Sequence, residues 1–301
     1  MQLEAAPPER QAGAAHLTTP LVSTEWLAEH LDDPKLRILD ATVHLAPPTE
    51  AGADWSQSSG RPDYEAAHIP GAAFADIIDE LSEPDGGWFT KPTPERFAAA
   101  AGRLGIGPDT TVVVYAVNVF WATRVWWLLL ANGFDNVAVL DGGFGKWTAE
   151  GRPTRSGTES YPPAEFVGTP RPELFADLDE VRRVVESGTG ACLINSLSPE
   201  DFHATETLSY PRPGRIPGSR HVFVAALLNP ADGTFRPVPE LREIFRDVQA
   251  ESGRKVTYCG GGIAATGDAL ALHLIGETDV AVYDGSLREW TSDPTLPLEV
   301  G

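Results

Sequence analysis

Val137-Ala138-Val139-Leu140-Asp141-Gly142 returns 143 residues later as Val280-Ala281-Val282-Tyr283-Asp284-Gly285. The same offset aligns Val114-Tyr115 with Thr257-Tyr258, Ala122-Thr123 with Ala265-Thr266, and Trp147 with Trp290. Upstream, Ile69-Pro70-Gly71-Ala72 and Ile216-Pro217-Gly218-Ser219 stand 147 apart, and Ile38-Leu39-Asp40 resembles Leu193-Ile194-Asn195 at 155. The offset drifts only by loop-sized insertions, and so long a period marks duplicated domains rather than a solenoid of small repeats. Between the copies, Gly151-Arg152-Pro153-Thr154-Arg155-Ser156-Gly157, then Pro162, Pro163, Pro170 and Pro172, have the composition of a linker. The expected division is 17–150, a linker over 151–172, and 173–301.

Working outward from the repeated run, each copy alternates short apolar, β-rich stretches with helical patterns. Residues 37–39, 111–115 and 137–140 read as buried strands, as do 192–194, 255–258 and 280–283. Helical patterns cover 23–31, 94–104, 122–132, 178–187, 239–250 and 264–274. Ser23 or Thr24 can cap the first, and Gly133 and Gly276 close two others. Such alternation predicts an α/β fold in each half, a parallel sheet covered by helices on both faces.

Composition narrows the class. Of 301 residues, 42% are apolar and 22% charged, ordinary globular values. Lys and Arg number 23 against 43 Asp and Glu, a net charge of −20 that repels phosphate backbones and anionic lipid and makes nucleic acid and membranes poor partners. Two cysteines, Cys192 and Cys259, form no disulfide framework, which points to a reducing compartment. The N-terminus has no apolar run of signal-peptide length, and no segment approaches about eighteen uninterrupted apolar residues. The expectation is a soluble, cytoplasmic protein with a loose tail over its first sixteen or so residues.

The chemistry concentrates in Lys255-Val256-Thr257-Tyr258-Cys259-Gly260-Gly261-Gly262-Ile263-Ala264-Ala265-Thr266, a buried strand that enters a glycine-rich turn and leaves as a helix. Three consecutive glycines carry an entropy cost with no helical or strand rationale, so they suggest a loop whose amides converge on something. A cysteine facing such amides before a helix N-terminus is favoured as thiolate, and the same amides would hold the extra sulfur of a persulfide. The competing reading makes Cys259 a small buried hydrophobe. Against that reading stands its place at the carboxyl end of a strand, where open α/β sheets bind ligands. Cys192, inside an apolar strand without glycines, keeps the packing role.

Gly260-Gly261-Gly262-Ile263-Ala264-Ala265 also satisfies G-x-G-x-x-A, with Asp284 at a ribose-binding distance. The motif starts only about forty residues from the C-terminus, too few for the rest of a dinucleotide sheet. Asp284 also has a partner in Asp141, whose preceding turn, Ala116 to Trp121, lacks the glycines, so the acid looks structural. A cysteine phosphatase needs an arginine six positions after its nucleophile to clamp phosphate, and Ala265 stands there.

These residues together resemble the rhodanese family of sulfurtransferases, specifically its tandem two-domain thiosulfate and 3-mercaptopyruvate members. The resemblance runs from about Leu17 onward. It rests on His68-Ile69-Pro70-Gly71-Ala72, Val139-Leu140-Asp141-Gly142-Gly143 with Trp147, Gly214-Arg215-Ile216-Pro217-Gly218-Ser219, and Tyr258 through Ala265. It implies two tandem rhodanese-like domains, of which only the second is catalytic, in agreement with Ala116 standing at the repeat position of Cys259. It further implies a double displacement. Cys259 takes sulfur from a small anionic donor, becomes a persulfide held by Gly260, Gly261, Gly262, Ile263, Ala264 and Ala265, and passes the sulfur to cyanide or a thiol. No metal or organic cofactor is implied, and a sulfur-acceptor protein is the alternative destination.

The chain departs from the family pattern where an Asp-Ala-Arg-like segment would follow the second domain's first strand: here the run is Asn195-Ser196-Leu197. The post-cysteine loop also lacks basic and hydroxyl side chains, with Gly261 where mercaptopyruvate enzymes place a relay serine. The sequence therefore leans toward thiosulfate or another sulfane donor. Arg212, then Arg215 and Arg220, are the expected anion-binding residues. His68 and His221 are weaker acid–base candidates, and Trp121 is expected to reach the cleft.

Overall fold

The computed structural model describes residues 16–47, 49, 55–205, 210 and 212–301. Apart from His16, the expected N-terminal tail lies outside them. The first half contains β1 (Leu21–Val22), α1 (Thr24–His30), β2 (Leu36–Asp40), β3 (Val43–Ala46), β4 (Ser56–Ser59), α2 (Arg61–Ala66), β5 (Ala72–Phe74), α3 (Pro94–Arg103), β6 (Thr111–Tyr115), α4 (Val119–Ala131), β7 (Val137–Leu140) and α5 (Gly143–Ala149). The second contains β8 (Phe175–Ala176), α6 (Leu178–Ser187), β9 (Ala191–Asn195), α7 (Pro199–Phe202), β10 (Arg220–His221), α8 (Val238–Ile244), α9 (Arg246–Gln249), β11 (Arg254–Tyr258), α10 (Ala264–Ile275), β12 (Val280–Tyr283) and α11 (Ser286–Ser292).

Both sheets are parallel and share one strand order, β1-β7-β6-β2-β5 in the first and β8-β12-β11-β9-β10 in the second. The duplication holds to the register. Val112 pairs Val137 as Lys255 pairs Val280, and Val113 pairs Ala138 as Val256 pairs Ala281. A two-stranded antiparallel hairpin, β3–β4, is an addition of the first half.

Strands that read as continuous apolar runs do so because both faces are covered, while their side chains still alternate. In the first sheet Val113, Tyr115, Ala138 and Leu140 face outward onto Leu27 of α1, Tyr64 of α2 and Trp147 of α5. The second sheet repeats this with Val256, Tyr258, Ala281 and Tyr283 against Val181 of α6 and Leu287 and Trp290 of α11. The inward faces of both sheets join α3, α4, α8 and α10 in one continuous core. In the middle of that core Thr123 Oγ1 of α4 lies 2.7 Å from Thr266 Oγ1 of α10. Residues equivalent in the repeat thus touch each other, which marks a pseudo-two-fold axis between the halves.

Local signals explain the element ends. Ser23 Oγ accepts from Trp26 N to cap α1, and Gly133 and Gly276 close α4 and α10 at φ 84° and 97°. α4 starts at Val119, earlier than the apolar pattern predicts, because Asn118 Oδ1 caps the Phe120 amide. The expected 239–250 helix breaks at Phe245 into α8 and α9.

The 151–172 linker is bound to the first domain as a strap rather than left as a tether. Arg155 and His68 exchange backbone hydrogen bonds, and Gly157 N, Ala164 N and Arg171 N donate to Glu65, Gly102 and Ala131 carbonyls. Tyr161 Oη accepts from Ile38 N and donates to Gly71 O, fixing the strap against β2.

Candidate active site

Cys259 follows β11 directly and is 3% exposed. Its equivalent Ala116 follows β6, but there the chain enters α4 after two more residues, whereas the glycines after Cys259 delay α10 until Ala264. Of those extra non-helical residues, Gly260, Gly261 and Ile263 form one wall of a cavity of about 210 Å³ between the domains.

The loop is fastened from two sides. Ser286 Oγ accepts from the amides of Cys259 and Gly262, each at 3.1 Å, and donates to Tyr283 O at 2.8 Å. From the first domain, the fully buried Arg124 of α4 pairs with Asp284 Oδ1 at 2.7 Å and donates to the carbonyls of Gly262 at 3.2 Å and Phe89 at 2.6 Å. Asp284 Oδ2 also accepts from Lys91 N, and its equivalent Asp141 accepts from Phe235 N. Both acids reach across to the opposite domain, which gives the repeated Asp-Gly its structural role.

Of the expected cradle, Gly260, Gly261, Ile263 and Ala264 line the cavity with Cys259. Gly262 and Ala265 do not. The Gly262 amide is spent on Ser286, and Ala265 is buried with its carbonyl accepting from Thr257 Oγ1.

The arginine expectation is corrected. Arg212 donates to the carbonyls of Trp290, Thr291, Asp293 and Leu296. Arg215 lies over the Phe202 ring, donates to Phe202 O and Gly301 O, and pairs with Glu299. Arg220 pairs with Glu251. All three hold the fold, and none lines the cavity.

The cation that does line it is Arg288 of α11, the only charged side chain among the described lining residues. Its guanidinium lies 4.6 Å from the Trp88 ring centroid and its amide donates to Gly260 O at 3.0 Å. Tyr210 covers the loop from the other side, its hydroxyl so close to Gly260 that a methyl group there would overlap it. Burial above all, then the neighbouring Asp201 and Cys259, push the Tyr210 phenol well above its usual range, while Arg288 pulls it down. Apart from Asn118, the remaining lining is apolar: Trp88, Phe89, Phe120 and Trp121 from the first domain, Leu45 of its hairpin with Trp55 just before β4, and Leu197 from the second. Trp121 therefore reaches the cleft as expected.

The histidines stand elsewhere. His68 is buried, stacked on Tyr64 and bonded to Tyr64 O, and His221 stacks on Phe202 with Nε2 at 2.8 Å from Leu197 O. Cys192 is a free, buried thiol whose pKa burial raises. Among the described residues no cluster of three or more His, Cys, Asp or Glu could hold a metal ion, and no helix is long and apolar enough to cross a membrane.

Comparison with known proteins shows the family. The Rhodanese-like domain family matches residues 23–150 and 179–293. The chain is 35% identical to human 3-mercaptopyruvate sulfurtransferase, covering 90% of this chain and 91% of that protein. It is 34% identical to the sulfur carrier protein TtuD of Thermus thermophilus, covering 93% and 96%. The crystal structure of SseA from Escherichia coli, described as a 3-mercaptopyruvate sulfotransferase with the rhodanese fold, superposes with a TM-score of 0.77 at 32% identity, covering 89% of this chain and 99% of that one.

Proposed function

The chain belongs to the rhodanese family and is a two-domain sulfurtransferase, and from that premise we propose that Cys259 carries the transferred sulfur as a persulfide drawn from a small organic donor, 3-mercaptopyruvate. Cys259 thiolate attacks the donor sulfur, the persulfide forms beside Gly260, Gly261, Ile263 and Ala264, and a thiol or cyanide removes the outer sulfur in a second displacement. The persulfide is the only carrier the reaction requires, with no metal or organic cofactor, and a reducing compartment such as the cytoplasm keeps Cys259 available.

The observation that carries this reading is the nucleophile at an apolar inter-domain cavity with one cationic side chain in its lining. The neutral loop by itself favoured thiosulfate. With Arg212 and Arg215 engaged in the fold, however, a dianion would lose its hydration to a site with a single guanidinium, whereas a three-carbon monoanion matches both the charge and the apolar lining. The names of the human and Escherichia coli relatives support the same donor.

Pyruvate and sulfide release from 3-mercaptopyruvate, measured beside thiocyanate formation from thiosulfate and cyanide, is expected to favour the former, and Cys259→Ser is expected to abolish both. Undiminished activity in Cys259→Ser would falsify the assignment. A second reading, a persulfide carrier that serves an acceptor protein, draws on the relative named a sulfur carrier protein. Intact mass spectrometry separates the two, since a carrier retains one added sulfur after the donor is removed and turns over little of it with small acceptors.

A further inference from the structure

We propose that Tyr210 and Arg288 together read the donor as a 2-oxo acid, Arg288 taking its carboxylate and the Tyr210 hydroxyl donating to its keto oxygen. This deepens the proposed function and rests on the 3-mercaptopyruvate reading.

Both side chains line the cavity that contains Cys259, and both are tied to the same residue, Gly260, the first after the nucleophile. The Arg288 amide donates to Gly260 O at 3.0 Å, and the Tyr210 hydroxyl occupies the space a Gly260 side chain would need. Cys259, Tyr210 and Arg288 are close enough that the charges of Cys259 and Arg288 act on the phenol in opposite directions. A phenol held neutral by burial is an O–H donor throughout the working range, which suits an oxygen that gains negative charge. The loop itself offers no hydroxyl, since Gly260, Gly261 and Ala264 stand there, so a donor brought in from another segment fills that part. Arg288 lies over Trp88 of the first domain, which fixes the guanidinium at the cavity wall, and its equivalent in the first copy is Gly145. On a protein of net charge −20, a carboxylate needs such a local cation.

The step balances without an oxidant. Cys259 thiolate forms an S–S bond to the donor thiol sulfur while the donor's C–S bond breaks and its electron pair stays on the three-carbon fragment as the enolate of pyruvate. The proton of the former donor thiol, now on the acidic outer persulfide sulfur, is released, and the enolate carbon takes up one proton. The net products are the persulfide anion and pyruvate. Charge grows on the enolate oxygen only as the C–S bond breaks, so the Tyr210 hydrogen bond strengthens in the transition state, whereas Arg288 holds a carboxylate charged throughout.

The two residues are therefore expected to fail differently. Tyr210→Phe lowers kcat for 3-mercaptopyruvate about 10- to 100-fold with KM within about threefold, the loss of one oxyanion donor. Arg288→Met raises KM about tenfold or more, and Arg288→Lys recovers part of that loss. Loading of Cys259 by 2-hydroxyethyl hydropersulfide, which has neither keto group nor carboxylate, is measured by intact mass and is expected to fall far less in all three variants than turnover of 3-mercaptopyruvate does. Equal losses with both donors would show a merely structural role and overturn the proposal, as would wild-type turnover with both Tyr210→Phe and Arg288→Met within about twofold of it. If the wild type loads from the hydropersulfide but turns over no 3-mercaptopyruvate, the donor reading fails and takes this proposal with it.

Discussion

Ser286 shows how much a single side chain contributes to the loop. It sits at φ 52°, in the left-handed region, where an L-residue costs about 1–2 kcal/mol. The first copy resolves the same backbone with Gly143 at φ 56°, where a Cβ would press on Ala116 O. The second copy keeps a serine despite the strain, and the reason is visible in its Oγ, the acceptor for two buried amides, those of Cys259 and Gly262. Ser286→Ala keeps the strain and orphans both amides, so a loss of about 2 kcal/mol or more is expected in urea unfolding. Ser286→Gly orphans the same amides but relieves the backbone, so it is expected to be the more stable of the two. Both variants should lower kcat about tenfold, because the loop loses its fastening whichever residue replaces the serine. A glycine variant with wild-type kcat would show that Ser286 does not position the loop.

At the scale of elements, the two sheets and their principal helices were legible because continuous apolar runs and 3.6-residue patterns report burial directly. The edge pairs Leu21–Val22, Phe175–Ala176 and Arg220–His221 were not, since two residues carry no period. Nor could the fate of Arg212 and Arg215 be read, because the carbonyls and carboxylate that engage them come mostly from residues 290–301, some eighty positions on. The sequence did hold more of the signal that Ala116 gives against Cys259. Ala116 and Cys259 differ across the repeat, and so do Gly143 and Ser286, Gly145 and Arg288, and Arg124 and Gly267. Each of these differences falls at the loop, its fastening or the cavity wall. Tyr210 sits between Asn195 and Ile216, where the repeat offset falls from 155 to 147 and the pairing is lost, and it gave no sign.

The repeated Asp-Gly makes a pH prediction at the same scale. Burial, with some help from Asp232, pushes Asp141 up to about 6, against the amide of Phe235 and the charge of Lys146. An acid raised in the folded state binds its proton more tightly there than in the unfolded chain, so its contribution to stability is whole below about pH 4 and is lost as pH rises through about 6. Asp141→Asn keeps an acceptor for Phe235 N and removes the titration. Urea unfolding is therefore expected to find the variant more stable than wild type at about pH 8, with the advantage gone at about pH 4. An advantage that does not change with pH would exclude burial of Asp141 as its cause.

On the scale of the whole molecule, the first domain has no cysteine, yet the cavity beside Cys259 is incomplete without it. It supplies Trp88, Phe89, Phe120 and Trp121 to the cavity and sends Arg124 to the back of the second domain's loop. The helices that meet at the pseudo-two-fold divide this work unequally. α4 carries the buried cation, and α10 has Gly267 at the matching position, where a Cβ would strike Phe120 and Val224. Arg124 has two separable effects. Its ion pair with Asp284 joins the domains, and its hydrogen bond to Gly262 O fixes the loop. Arg124→Met leaves a buried carboxylate without its cation, and a loss of about 3–5 kcal/mol is expected in urea unfolding, together with a fall in kcat of about tenfold. Adding Asp284→Asn removes the unpaired charge while Lys91 N keeps an acceptor, so stability is expected to recover in part. Gly262 O still lacks its donor in the double variant, so kcat is expected to stay low. If kcat returned in step with stability, Arg124 would act only by holding the domains together, and the first domain's part in catalysis would reduce to the cavity wall.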